Sequence, residues 1–415
     1  MDEIKLKSWG NNFEKSVIVN TSQSSSGINF GNQNSYGDSF IPVSNSSFKV
    51  STNSEIKNDF VSSDTELQEY LATSKYGLYG IPGKSNVTIG GAIAVDTHGK
   101  DNLWGGSFEK NIEEIVLQLP SNEKILASRE KNYELFQSTI GGYGLTGSIL
   151  GCKFKKEINN EKYFTKTIKT NKGINNLLNS ENFDNNSYWV GWVNLLDKKF
   201  PWVSEVHTPC QSRNFTNKIN FDFEFSKFNL PSIGRNDLKS MNLVNNIYFL
   251  KNKLFRKKIV DSKATFYPLG LLSDTRNISK KRKIIQIQFS LPIKNSTYIE
   301  ELIDLLIYKQ TPLLCSVKRL GYDNTFHNLS FYQNGWTFAV DFSLETFNFK
   351  SVNKFISKLI ELEGKVYLAK DSILDKNQFR EMYTNFDKFE KTLKKIDPDN
   401  IYQSEMSRRL GLKSW

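Results

Sequence analysis

A chain of 415 residues with 30 Phe, 17 Tyr and 7 Trp is too aromatic to be disordered, and it is long enough for two domains with their own cores. Its 55 basic residues outnumber 44 acidic ones, a net charge of +11, which points to an anionic partner: phosphate, nucleic acid or a membrane surface. Three widely spaced cysteines, Cys152, Cys210 and Cys315, exclude a disulfide framework and a CxxC pair and fit a reducing compartment.

The first fifteen residues lack the apolar core of a signal peptide, and no run reaches the roughly 20 apolar residues of a membrane span. A cytoplasmic protein is expected, with peripheral contact at the inner face of the membrane left open. Residues 16–65 are rich in Ser, Asn and Gly, and that composition predicts a flexible, weakly structured entry. Next, "ELQEYLATSKYGL" predicts a short helix closed by Gly77. "YGIPG" is a turn, and "NVTIGGAIAV" reads as a strand running into glycine-rich backbone. "IEEIVLQLP" is a strand, "REKNYELFQSTI" a helix, and "SILGCKFKKE" a strand leaving a glycine cluster.

From about residue 157 to 365 strands such as "KIIQIQFSLPI" and "WTFAVDFSL" alternate with helices such as "STYIEELIDLLIYK" and "FKSVNKFISKLIELEG". This is an α+β texture built on an antiparallel sheet. The last fifty residues carry "KVYLAKDSI" and then charged, helical sequence. There is no internal repeat.

"GGYGLTG" holds Gly142-x-Gly144-x-x-Gly147. A Rossmann site needs a strand before this fingerprint and a helix after it. Here the order is reversed, so a Rossmann site is not expected. A second glycine-rich stretch, residues 83–99, also leaves backbone bare, and bare N–H groups are what phosphates bind. Two such loops converging would suit a dinucleotide held without a Rossmann fold.

The segments "GIPGKSNVTIGGAIAVDTHGKDN", "GSFEKNIEEI", "ELFQSTIGGYGLTGSI", "GWTFAVDF", "VYLAKDS" and "IDPDNIYQSEMSRRLGL" resemble the flavin oxidoreductases of the vanillyl-alcohol-oxidase type. The likeness runs from about Tyr36 to Leu412. It is nearest to the branch that oxidises a polyprenyl-phosphate-linked pentose. The resemblance implies an FAD-binding domain in two parts, residues 1–156 and 366–415, with a substrate domain, residues 157–365, inserted between them. It implies non-covalent FAD along Ser35, Tyr36, Gly37, Asp38, Gly83, Thr88, Ile89, Gly90, Gly91, Val95, Asp96, Thr97, His98, Ile149 and Tyr367. Lys370 matches the family's essential lysine, and His98 reaches the flavin ring; these two are the catalytic candidates. Substrate contacts are implied at Lys100, Trp192, Tyr267, Gln286, Gln288 and Lys318.

The residues add their own readings. Oxidising a secondary alcohol requires handling of the hydroxyl proton and of the charge that develops. A lysine just after an apolar strand, as in "KVYLAK", is suited to both. In "KIIQIQFSL" a period of two puts Gln286 and Gln288 on one face. That face suits a sugar, or else it is wet. Basic runs at residues 251–263 and 279–283 flank "FYPLGLLSD" and read as solvated loops or as a lid for a lipid-linked phosphate. Nothing beside that charge is a nucleic-acid motif, and no nucleic acid is expected.

Two departures stand out. The pyrophosphate loop, usually like RGLGRSYGD, here reads "FGNQNSYGD", with Gln33 and Asn34 at positions usually Gly and Arg. Ala339 stands where some relatives carry a reactive cysteine. The expected function is FAD-dependent oxidation at C2 of a polyprenyl-phosphate-linked pentose, with a short-chain reductase partner completing an epimerisation. The alternatives are a flavin oxidase of a soluble aldose or aldonolactone, and a degenerate, flavin-free sugar-binding protein.

Overall fold

The largest sheet has eight strands, and every pairing in it is antiparallel. From edge to edge these are Lys257–Asp261, Tyr163–Lys172, Pro201–Pro209, Tyr188–Val193, Pro312–Leu320, Gly335–Ser343, Ile284–Pro292 and Lys365–Val366. The coordinates are a computed structural model that describes residues 2–20, 28–44, 46–48, 59–180, 186–211, 238–254, 256–267, 283–321 and 327–413. Parts of the Ser/Asn/Gly-rich entry, most of "FYPLGLLSD" and all but Lys283 of the second basic run lie outside the described residues.

Alternation along each strand sorts the sheet into two faces. Ile285, Ile287, Phe289 and Leu291 join Val317, Phe338, Val340 and Phe342 in the main core. Helices Ile299–Ile307 and Phe349–Glu361 cover this face. The second presents Val352, Phe355, Ile356 and Leu359, a spacing of three and four that lines one side of a helix. Phe289 stacks on Phe338 at 5.5 Å and meets Phe355 edge-on at 5.2 Å. Each such side chain contributes roughly 1.5–3 kcal/mol by leaving water. The opposite face carries Gln286, Gln288, Asp341, Thr337, Lys318, Trp192, Glu205 and His207, in register with one another.

A four-stranded sheet, Val61–Ser62, Ser148–Phe154, Ile112–Gln118 and Lys124–Ser128, is also antiparallel throughout. It carries helix Tyr133–Thr139 in the predicted order, helix before strand. A third sheet pairs Asp2–Lys7 with Glu14–Asn20 and adds Ser46–Phe48 in parallel. So part of the predicted flexible entry is strand. Leu6, Val17, Val19, Phe40 and Ile41 bury together behind it, and this apolar set outweighs the polar composition around it.

Three local expectations are corrected. "NVTIGGAIAV" is not a strand: Ile89–Val95 is a helix. Thr88 caps it by accepting from the Gly91 N–H at 3.2 Å, and Ile89, Ala92 and Ile93 bury one side. Two glycines disfavour a helix by about 1 kcal/mol each. At Gly90 the reason is contact: a Cβ there would lie 2.9 Å from Ser63 Cβ. The preceding helix, Leu67–Thr73, ends at Ser74 and not at Gly77. Ser74 turns the chain with its own hydroxyl, which accepts from Tyr76 N at 3.0 Å. "KVYLA" is a strand only at Lys365–Val366 and then tightens into a 3-10 turn, Leu368–Lys370.

Candidate active site

The polar face of the large sheet meets the loop after helix Ile89–Val95, and His98 stands at the junction. Its Nε2 lies 2.8 Å from Gln288 Nε2, and its Nδ1 lies 3.4 Å from Lys318 Nζ. Lys318 also donates to the His98 carbonyl at 3.4 Å. Tyr367, Tyr332 and Phe331 surround the ring at 5.6, 6.1 and 6.3 Å. Burial first, then the charges of Lys318 and Lys370, push the imidazole well below its usual pKa, so it is neutral.

Gln288 is fixed from both sides. Its amide donates to Thr337 Oγ1 at 3.0 Å, and Thr337 donates on to Phe289 O at 2.8 Å. The Oε1 atoms of Gln286 and Gln288 are buried with no partner among the described residues. Gln286 donates to Asp341, whose pKa burial raises to about 6 against the pull of Gln286 and Lys370. Lys318 and Lys370 make no ion pair among the described residues. Burial lowers them to about 7 and about 8. Lys370 Nζ lies 5.8 Å from the Tyr36 ring centroid. Two buried lysines without a direct carboxylate partner, the charge of Asp341 bearing on Lys370, and two unpaired carbonyl oxygens form a site that lacks a set of hydroxyl donors.

A second buried cluster continues along the same face. Lys100 Nζ lies 3.4 Å from His207 Nε2 and 4.0 Å from Glu205 Oε2. Glu205 binds Lys166 at 2.5 Å and accepts from the Tyr248 hydroxyl at 3.0 Å. His207 Nδ1 faces Thr265 Oγ1 at 3.2 Å. Burial chiefly, partly offset by Glu205, sets Lys100 at about 8. Its charge bears on Lys318, which places the two clusters side by side. Trp192 packs on Tyr248, with ring centroids 5.1 Å apart.

The structure thus gathers His98, Gln286, Gln288, Lys318 and Lys370 around one spot, and Lys100 and Trp192 beside it. Tyr267 caps helix Ser262–Phe266 with its hydroxyl buried and no partner among the described residues. Tyr367 donates to Val95 O at 2.8 Å, and its N–H goes to Gln288 O at 2.8 Å. Other candidates are occupied by the protein itself. The Asp38 carboxylate receives Arg409 at 2.8 and 3.0 Å. Asp96 holds His327 at 2.6 Å and the Glu109 N–H at 2.9 Å. Thr97 Oγ1 donates to Gly80 O at 2.9 Å, and Ser35 Oγ to Ala369 O. Gly37 N reaches the same carbonyl at 3.4 Å. Gly83 lies in the loop before the helix, and Ile149 is buried in strand Ser148–Phe154.

The two glycine stretches do converge: Gly141 N donates to Ile93 O at 3.0 Å and Tyr143 N to Ala94 O at 2.8 Å. In residues 141–147, however, two of the glycines face protein backbone. A Cβ on Gly142 would stand 2.0 Å from Ser138 O, and one on Gly147 2.5 Å from Gln118 O. At those two positions the missing side chain serves backbone packing, while at Gly144 a Cβ would meet only Ile28 at 3.8 Å. Gln33 in the altered loop has φ 54°, the left-handed geometry that glycine favours.

Sequence reasoning missed Asp341, Thr337, Glu205, His207 and Arg409. The first four were within reach of the period-two argument applied to "GWTFAVDF" and "WVSEVH". Arg409, in "MSRRLGL", carries no signal that separates it from Arg408.

The sequence pattern of a family described as D-arabinono-1,4-lactone oxidase matches residues 337–410, which includes Thr337, Asp341, Tyr367, Lys370 and Arg409. A decaprenylphosphoryl-β-D-ribose oxidase of Mycolicibacterium smegmatis is 25% identical over 347 residues, 80% of this chain and 75% of that protein. An uncharacterized protein in the mprA 5′ region of Streptomyces coelicolor is 35% identical over 69 residues, 17% of this chain and 18% of its own.

Proposed function

We propose that this chain, an FAD-dependent oxidoreductase close to decaprenylphosphoryl-β-D-ribose oxidase, oxidises a secondary hydroxyl of a sugar, at C2 of a polyprenyl-phosphate-linked pentose. The observation that carries the reading is the buried pairing of Lys318 and Lys370 with the free carbonyl oxygens of Gln286 and Gln288 around a neutral His98. A sugar would supply the hydroxyl donors that the glutamines lack, and an electron-rich cofactor would add negative charge beside the two lysines.

In this reading residues 88–91 and the backbone of 95–98, with Tyr367 and Lys370, would hold FAD between residues 1–156 and 366–415, and residues 157–365 would form the substrate domain. Bound FAD supplies the acceptor for the two electrons that leave the carbon. The chain supplies position and proton handling. Gln286 and Gln288 accept from sugar hydroxyls. Lys318 Nζ, at about 7, is partly the free amine near neutral pH and takes the hydroxyl proton. Lys370 keeps most of its charge at neutral pH, since its value is about 8, and stabilises negative charge as it develops. Asp341 beside Gln286 fixes that amide. A short-chain reductase acting on the ketone would complete an epimerisation in the cytoplasm.

The test is Lys370→Met, read by anaerobic bleaching of the visible flavin band after mixing with substrate. FAD should stay bound while bleaching slows by about 10²–10³, the usual loss on removing one electrostatic stabiliser. Bleaching at the parent's rate would make Lys370 structural. Colourless protein that FAD cannot reconstitute would remove the oxidase reading altogether. The match over residues 337–410 favours one second reading, oxidation of a soluble aldonolactone. Bleaching by D-arabinono-1,4-lactone, with none by a short-chain polyprenyl-phosphate ribose, would select it.

A further inference from the structure

Helix Leu238–Leu254 has two unlike faces. Asn245 and Asn252 are buried, and Tyr248 between them donates to Glu205 and packs on Trp192. Those positions recur at three and four residues and face the sheet. On the other side Leu243, Ile247, Leu250 and Leu254 are 60%, 43%, 57% and 77% exposed. They follow one another at four, three and four residues, a continuous aliphatic stripe turned outward. Four large aliphatic side chains in line on an exposed face mark a contact surface.

The charge around the stripe says what it contacts. Residues 242–258 contain Lys251, Lys253, Arg256, Lys257 and Lys258 and no Asp or Glu. Lys253, Arg256, Lys257 and Lys258 are exposed. The last two stand on Lys257–Asp261, the edge strand of the large sheet. A second copy meeting this face by symmetry would bring two such sets of cations together. An anionic bilayer takes both features at once, the aliphatic stripe at the acyl boundary and the cations on head groups.

We propose that the outer face of helix Leu238–Leu254, with the basic residues that follow it, docks the protein on an anionic lipid bilayer. This deepens the function proposed above, because the inner face of the same helix holds Tyr248 against the cluster around Lys100. It rests on that reading only in giving the docked site a lipid-linked sugar to take.

The experiment is co-sedimentation of the holoenzyme with vesicles of phosphatidylcholine alone and of phosphatidylcholine with phosphatidylglycerol, without substrate. The parent should sediment with the anionic vesicles only. Leu243→Ser combined with Leu250→Ser should lose at least roughly tenfold in partitioning, with the flavin band and the sedimentation coefficient unchanged. Lys257→Gln combined with Lys258→Gln should bind more weakly, and salt should reproduce that loss because exposed charges are screened. Should the leucine pair shed its flavin, Leu254→Ser, at the most exposed position of the stripe, takes its place. A parent that ignores anionic vesicles overturns the proposal. So does a leucine variant that binds as the parent does, or one whose sedimentation coefficient falls because the stripe held a second copy. Because no substrate is present, failure here leaves the oxidase reading standing. Failure of flavin bleaching leaves the docking result standing.

Discussion

Lys318 faces His98 Nδ1 at 3.4 Å while Gln288 presents its amide nitrogen to Nε2 at 2.8 Å. With Gln288 donating to Nε2, the ring proton sits on Nδ1 and points at Lys318, an arrangement that requires the free amine. The lowered value of about 7, caused by burial and then by Lys370 and Lys100, agrees. Unfolded lysine titrates near 10.5. Between about pH 7 and 10 the unfolded chain therefore binds more protons than the folded one, and stability rises with pH across that window. Below about pH 7 both states carry the charge and the burial penalty is present in full. Lys318→Met should thus raise the thermal midpoint over the parent most below pH 7, and the gain should shrink toward pH 10. A gain that does not change with pH would mean that the site does not penalise the charge. Flavin reduction in the parent should rise through pH 7 as Lys318 loses its proton, and that rise should vanish in the variant. Glu205 is the converse case. It is the one carboxylate among the described residues that pairs with both Lys100 and Lys166. Glu205→Gln leaves buried Lys100 facing half-buried Lys166 and should cost about 3–5 kcal/mol in a denaturant melt. A cost under about 1 kcal/mol would show that water already reaches the cluster.

At the scale of elements, Gly142 and Gly91 predict opposite outcomes for the same change. A Cβ at Gly142 meets the Ser138 carbonyl at 2.0 Å, and backbone cannot move aside cheaply. Gly142→Ala should destabilise by about 1–3 kcal/mol. At Gly91 the only close atom is Thr88 Oγ1 at 3.0 Å, and the position is helical. Gly91→Ala should leave the melting temperature near the parent's, since Ala favours helix by about 1 kcal/mol. If FAD lies against this helix, the same variant should lose flavin absorbance. Flavin kept at full occupancy would move the cofactor elsewhere. These glycines also show what the sequence hides. The helix Tyr133–Thr139 and the strand after the glycine cluster were legible because each has a clear period. Ile89–Val95 was not, because small residues between two glycines carry no strong period of either kind. Its helicity comes from the Thr88 cap and from burial of Ile89, Ala92 and Ile93, which only the packed chain reveals. Gln286 and Gln288 were legible as a pair sharing one face. That the face is buried was not, because period two alone does not say what covers it.

Over the whole molecule, Arg409 joins three distant parts of the chain. It grips Asp38 with two hydrogen bonds, Asp371 Oδ2 at 2.8 Å and the Leu374 carbonyl at 2.8 Å. Asp371 immediately follows Lys370, and Asp38 closes the "SYGD" segment whose Ser35 binds Ala369 O. One guanidinium therefore fixes the N-terminal loop, the turn that carries Lys370 and the C-terminal helix Glu405–Leu410 to one another. Both carboxylates are buried, Asp38 at 2% and Asp371 at 0% exposure, and burial raises the Asp38 pKa even with Arg409 present. Arg409→Met would strand the two acids together and should cost about 3–5 kcal/mol at neutral pH. The sign of its pH dependence follows. Asp38 titrates higher folded than unfolded, and more so without Arg409, so the folded variant takes up a proton first as pH falls. Its deficit against the parent should narrow as pH falls and the stranded acid becomes neutral. Urea melts at pH 7 and near pH 4.5 read this directly. A deficit equal at both values would mean that the loss is one of packing and not of charge. Arg409→Lys keeps one charge but not the fork that serves two acids, and it should recover part of the stability. If the position of Lys370 depends on this clamp, flavin bleaching in Arg409→Lys should stay slower than in the parent even where its stability is regained.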